Sequence, residues 1–252
     1  IKELLDPAFF IESKNIRIQN KKIINIGIAF RSNEWGMRLD AKKRKFIHIN
    51  SPAMFHENPS FAFCLNYSLK ILKETSNTIT LMIQTESDKS IKETLYSELC
   101  LSGYEDRVFL KRINSVDDYI DCMREIDGLV SNRFHAIIFA LILQKNIYPL
   151  AFSKAHGHKI KGLVDYFNKS IDFIDLSSTT TEDAILKTFK NTTSGKDNFK
   201  DISPIIKTLK QETINWIKKG WKSDEPKINL LQAKLNLYFF AVKSIVLKNQ
   251  KN

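Results

Sequence analysis

Between Ile23 and Leu176 the chain alternates six short apolar runs, rich in β-branched residues, with longer segments whose apolar residues recur at helical spacing. That alternation restricts the fold sharply, because strands joined through helices pair in parallel and need helices on both faces of the sheet. The spacing predicts strands at 23–29, 78–84, 107–110, 126–131, 147–152 and 172–176. It predicts helices near 59–75, 90–101, 115–124, 133–143 and 158–167. The first helix is expected to present Phe61, Leu65, Leu69 and Leu72 to the core, and Asp117 and Asp118 suit the first turn of the third.

The result is an α/β class chain, with a Rossmann-like domain over residues 1–190 and a helical extension over 200–252. The polar passage NTTSGKDN (191–198) between them resembles a linker. Two helices are expected in the tail, the second near 228–247, where LNLYFFAVKSIVL is apolar enough to need a partner surface. Packing within the protein or in a homo-oligomer is the first expectation for them, and peripheral membrane contact the alternative. One passage breaks the alternation. Residues 31–58 are too many for an ordinary connection between strand and helix, and long loops at the carboxyl ends of parallel strands are where such folds place ligands.

Composition narrows the function. The chain carries 39 Lys plus Arg against 28 Asp plus Glu, a net charge of +11 that attracts anions. The lysines are scattered, and no RNA-recognition signature, zinc finger or basic zipper accompanies them, so nucleic acid is not expected as a partner. No apolar run is long enough to span a membrane. Cys64, Cys100 and Cys122 are odd in number and widely spaced, which favours a reducing compartment, the cytoplasm, with the inner membrane face as the surface a tail helix would meet. The chain opens on Ile without the order of a secretion signal, so further residues are expected upstream. IGIAFRSNEWG follows the first strand where a dinucleotide fold would carry GxGxxG, and GxxxxGK[ST] is absent; neither NAD nor a P-loop nucleotide is indicated. His156 and His158 have no nearby cysteine or carboxylate to complete a metal site, and no metal is expected.

Chemistry concentrates at LVSNRFHAIIFALI (129–142). The strand ends at Ser131, Ser131 or Asn132 can cap the following helix, and Arg133 and His135 then fall in its first turn at the carboxyl edge of the sheet. Free backbone N–H groups and the positive helix end favour an anion there. Arg133 adds a planar fork suited to carboxylate or phosphate. His135 can take a proton from a hydroxyl or deliver one.

Taken with HKIKGLVDYF downstream, DGLVSNRFHAIIFALILQKNIYPLAF resembles the polysaccharide pyruvyl transferase family, whose members carry a Ser-x-Arg-(Leu/Phe)-His element and, further on, Lys followed by Gly-Leu. DPAFF (6–10) and IGIAFR (26–31) are similar to further family elements, and the resemblance runs over roughly residues 5–175. It implies the C-terminal half of a two-domain, GT-B-like architecture. It also implies transfer of a pyruvyl group from phosphoenolpyruvate to two hydroxyls of a bacterial cell-surface polysaccharide or its lipid-linked precursor, with no further cofactor. Carried onto this chain, Arg31 and Arg133 hold the donor with Ser131, Asn132 and Lys159 as further binding residues, and His135 is the acid/base. Two other readings stand beside it: a nucleotide-sugar glycosyltransferase of similar fold, and a non-catalytic binding domain. Convergence of Arg31, Arg133 and His135 on one place separates the enzyme readings from the last.

Overall fold

A computed structural model describes residues 7–10, 25–31, 37–40, 45–48, 55, 57–152, 154–167, 170–198 and 201–220. The chain divides into two compact units, Ser13–Ile202 and, separately, Ile1–Glu12 with Ser203–Asn252.

In the larger unit six strands form one all-parallel sheet: β1 (Asn25–Ala29), β4 (Thr78–Ile83), β5 (Val108–Arg112), β6 (Gly128–Ser131), β7 (Asn146–Ala151) and β8 (Ile174–Asp175). Across the sheet they run β5-β4-β1-β6-β7-β8. The chain thus builds outward from β1 to one edge, returns, and builds outward again to the other. This is the doubly wound Rossmann order, and the strand order reverses between β1 and β6. The register there is Gly27 opposite Leu129 and Ala29 opposite Ser131. Both strands are closed to solvent beyond their first residue, and β7 is buried throughout. Burial on two faces is why they read as continuous apolar runs instead of alternating ones.

Five helices follow the strands as the spacing indicates, α1 (Pro59–Glu74), α2 (Glu86–Leu99), α3 (Val116–Glu125), α4 (Phe134–Ile142) and α5 (Lys154–Phe167), and a sixth that was not expected, α6 (Thr181–Thr193), follows the last strand. One core cluster joins Ile26, Ile28, Ile79 and Leu81 of the sheet to Phe61, Cys64, Tyr67 and Ile71 of α1, Ile91 and Leu95 of α2, and Ala184 and Ile185 of α6. The expected stripe on α1 does face the core: Phe61 and Leu72 are buried, and Leu65 and Leu69 are half-buried against the same cluster. The buried arc is wider than the stripe and takes in Phe63, Cys64, Tyr67, Ser68 and Ile71, because α1 packs against α2 and α6 as well as the sheet. Asn58 caps this helix, its side chain accepting from Ser60 N at 2.9 Å, with Pro59 in the first turn.

Two further differences have local causes. The long passage after β1 holds an antiparallel hairpin, β2 (Met37–Asp40) and β3 (Lys45–His48), too short and too charged to stand out as strands in the sequence. Residues 191–198 do not behave as a linker. Asn198 lies along the start of β7, its side chain accepting from Ile147 N at 2.8 Å and donating to Ile147 O at 2.7 Å, while Asn146 Oδ1 accepts from Asn198 N at 2.6 Å. An amide side chain thereby satisfies backbone groups that a neighbouring strand would otherwise pair.

In the smaller unit the short 3-10 turn Pro7–Phe10 packs against α7 (Ser203–Gly220). The second expected tail helix, near 228–247, lies outside the described residues. No helix among the described residues is long and apolar enough to cross a membrane.

Candidate anion-binding site

The carboxyl ends of β1 and β6 are tied together by two side chains. Asn132 Oδ1 accepts from Arg31 N at 2.7 Å and Asn132 Nδ2 donates to Arg31 O at 3.0 Å, so one amide holds both backbone groups of the residue that leaves β1. Ser131 Oγ donates to Ala29 O at 2.7 Å and accepts from Arg133 N at 2.9 Å, linking the end of β1 to the cap residue of α4. Ser131 is fully buried and Asn132 half-buried. Their polar atoms are engaged in fixing backbone, and what they fix is the placement of the two arginines.

The guanidinium of Arg133 reaches across to α2. It pairs with Asp88 through Nη2 and Oδ1, and the same nitrogen lies 3.4 Å from Thr85 Oγ1. Asp88 is itself held, its second oxygen accepting from Thr85 N at 3.2 Å at the start of α2. The side chains of Asp88 and Arg133 are 3% and 16% exposed, so the pair is largely dry. One turn further along α2, Lys92 is fully buried, with Nζ donating to Met82 O at 2.5 Å and lying 4.6 Å from the centre of the Phe30 ring.

The charges feel one another. Burial, joined by the adjacent Arg133, pulls the Arg31 guanidinium below its ordinary value, while Asp88 works in the opposite direction. Burial pushes Lys92 down to about 8, opposed by Asp88 and reinforced by Arg133. Among the described residues Arg31, Lys92 and Arg133 thus all feel the carboxylate of Asp88, Lys92 from a fully buried and Arg31 from a half-buried position, and a gathering of cations of this kind favours an incoming anion. Tyr119 of α3 adjoins the group. Its hydroxyl accepts from Gln84 Nε2, its ring stacks on Phe139 with centroids 4.3 Å apart, and burial raises the hydroxyl well above the usual tyrosine range.

His135, the second residue of α4, is exposed and meets the Phe134 ring edge-on at 5.8 Å between centroids. It stands at the free end of the helix that Arg133 caps. Lys159 is exposed on α5, which leaves the same edge of the sheet one strand further on. Arg31, Ser131, Asn132, Arg133 and His135 thus gather where the strand order reverses, the position at which open α/β sheets receive ligands.

Asp88 and Lys92 were not among the expected site residues. A signal for them exists in TESDKSIK after the second strand, where Thr85 and Asp88 have capping-box spacing and Asp88 and Lys92 are one helical turn apart. Nothing in that spacing shows that the pair is buried beneath an arginine from residue 133.

No curated protein matches the chain. The model of the polysaccharide pyruvyl transferase family matches residues 1–153. The matched span contains β1, β4, β6 and the whole Arg31, Asp88, Lys92, Arg133 and His135 group, and stops short of Lys159. With more than half its length matched and the charged group assembled within that span, the chain belongs to the polysaccharide pyruvyl transferase family and is a transferase of that kind.

Proposed function

We propose that the protein transfers a pyruvyl group from phosphoenolpyruvate to two hydroxyls of one sugar in a bacterial surface polysaccharide or its lipid-linked precursor. The observation that carries this reading is the pair of arginines, Arg31 and Arg133, which interact with each other and with the buried carboxylate of Asp88 where the strand order reverses. Phosphoenolpyruvate brings a phosphate and a carboxylate, so two forks on separate strands suit its two anionic ends.

In the reaction, one sugar hydroxyl adds through oxygen to C2 of the enol while the methylene carbon C3 gains a proton and becomes a methyl. The C2–O bond to phosphate then breaks, the second hydroxyl attacks C2, and its proton leaves with the released phosphate. Atoms balance with no oxidant or reductant. His135 sits at an exposed helix start beside Arg133, where it can exchange protons with hydroxyls and the enol carbon. The arginines stabilise the charge that gathers on departing phosphate, an interaction whose loss commonly lowers rate on the order of a hundredfold. We read the α/β unit as the C-terminal half of a GT-B-like enzyme working at the cytoplasmic face of the membrane, with Lys159 a further contact for ligand charge.

The test is release of inorganic phosphate from phosphoenolpyruvate in the presence of candidate sugar acceptors, with the ketal identified by mass. Release that depends on acceptor and disappears in the Arg133→Ala, His135→Ala double variant is expected. Thermal stabilisation by a nucleoside diphosphate, with no response to phosphoenolpyruvate, overturns the reading in favour of a glycosyltransferase.

A further inference from the structure

The strongest group outside the expected site residues is the buried carboxylate on α2. Asp88 comes from the helix after β4, whereas Arg133 comes from the turn after β6, and the two strands are separated in the sheet by β1. Their ion pair therefore spans the mouth of the reversal. Asp88 cannot follow a moving partner, because its other oxygen is bonded to Thr85 N at 3.2 Å and the side chain is 3% exposed. Arg133, by contrast, is incompletely satisfied: its Nε is buried with no hydrogen-bond partner. Here one end of the fork is clamped and part of its capacity is left over.

We propose that Asp88 is the positioning residue for Arg133, fixing its guanidinium at the carboxyl end of β6 so that the remaining donors are pre-oriented for the anionic donor substrate. Lys92, beneath both, balances the carboxylate so that Asp88 does not neutralise the arginine outright. This rests on the reading of Arg133 as a ligand for phosphoenolpyruvate. Preorganisation is the physical benefit. A free arginine side chain surrenders rotamer entropy each time it binds, and one already held does not.

The experiment measures phosphoenolpyruvate binding by calorimetry, and KM against kcat where turnover is seen, for the wild-type chain and for Asp88→Asn, Arg133→Ala and the double variant. Thr180→Ala, which removes the α6 cap, serves as a control for lost stability alone. Asp88→Asn is expected to weaken binding about tenfold to a hundredfold, mainly through KM. It should add almost nothing in the Arg133→Ala background, because the two residues act as one unit. Thr180→Ala should lower the melting temperature and leave binding unchanged. Wild-type affinity in Asp88→Asn, a penalty that adds in full to that of Arg133→Ala, or an equal binding loss in Thr180→Ala would each overturn the proposal. If the wild-type chain binds phosphoenolpyruvate and transfers nothing to any sugar, the functional reading fails while the role of Asp88 is still decided by the binding data. If it binds no phosphoenolpyruvate, both fall.

Discussion

Replacing Asn132 by alanine probes the join on which the site depends. The side chain makes two hydrogen bonds, to the N–H and C=O of Arg31 at 2.7 and 3.0 Å, and alanine makes neither. A net contribution of about 1 kcal/mol for each would give about 2 kcal/mol, reduced where water reaches the half-buried Arg31 backbone and increased where it does not. A domain of this size holds about 5–15 kcal/mol in reserve, so the variant should fold. With a urea dependence near 2 kcal/mol per molar, the unfolding midpoint should fall by about 1 M at unchanged slope. The end of β1 would also lose its fixed relation to β6, so phosphoenolpyruvate affinity should drop about tenfold even though Asn132 need not touch the ligand. Equilibrium urea unfolding followed by circular dichroism, together with a binding isotherm on the same preparation, reads both effects. A midpoint within about 0.2 M of wild type would refute the view that this amide ties the two strand ends. A full stability loss with intact affinity would refute the link from that tie to Arg31.

His135→Ala should lower kcat by about two to four orders of magnitude while leaving the melting temperature within a degree or so, since the side chain is exposed; steady-state kinetics beside a melting curve checks it. Lys92 lies at about 8 in the fold against 10.5 as its ordinary value, so the unfolded chain binds more protons between those pH values and stability should rise as pH climbs through them. The predicted gain is about 1.5 kcal/mol from pH 8 to about pH 9.5, and Lys92→Met should lack it, so parallel pH profiles of wild type and variant would contradict the burial argument. Gly27→Ala places a Cβ 2.5 Å from Ile126 Cδ1 and 3.2 Å from its Cγ2, inside a fully buried neighbourhood. A loss of about 1–3 kcal/mol in urea unfolding is expected.

The α/β class was legible because the inner strands β1, β4, β6 and β7 are buried on both faces and so read as compact apolar runs, while the edge strands β5 and β8 are short and partly exposed. What was not legible is strand order, since a run such as GLVS carries no mark of its neighbour. Residue 31 meets residue 132 across 101 positions of sequence only because β6 returns to the side of β1 that β4 left open. The hairpin at Met37–Asp40 and Lys45–His48 was missed for another reason: two four-residue strands with charged ends give too little periodicity to separate from a polar loop. Asn198 was misread because Asn, Asp and Ser are common to linkers and to segments that bond a strand's backbone through their side chains, and composition does not separate the two.

The site divides along the same line. His135 was legible in the exposed first turn because a strand end followed by an apolar helix fixes that turn, but the cap was not: Arg133, and not Ser131 or Asn132, occupies the cap position of α4, because Ser131 Oγ and Asn132 are drawn to the end of β1. Ser131 and Asn132 were legible as polar groups at that turn, yet their hydrogen bonds run to Ala29 and Arg31, partners that no local pattern supplies. Asp88 and Lys92 show the limit most plainly. As neighbours on one helix they resemble an ordinary solvent-facing pair of opposite charge, worth a few tenths of a kcal/mol. Buried beside Arg133, with Asp88 paired to it and Lys92 directed to Met82 O and the Phe30 ring, the same two residues form a desolvated charged group at the candidate site. The difference between those two roles is desolvation, which depends on what α4 and the end of β1 place above α2. The spacing of residues along α2 is identical in both cases.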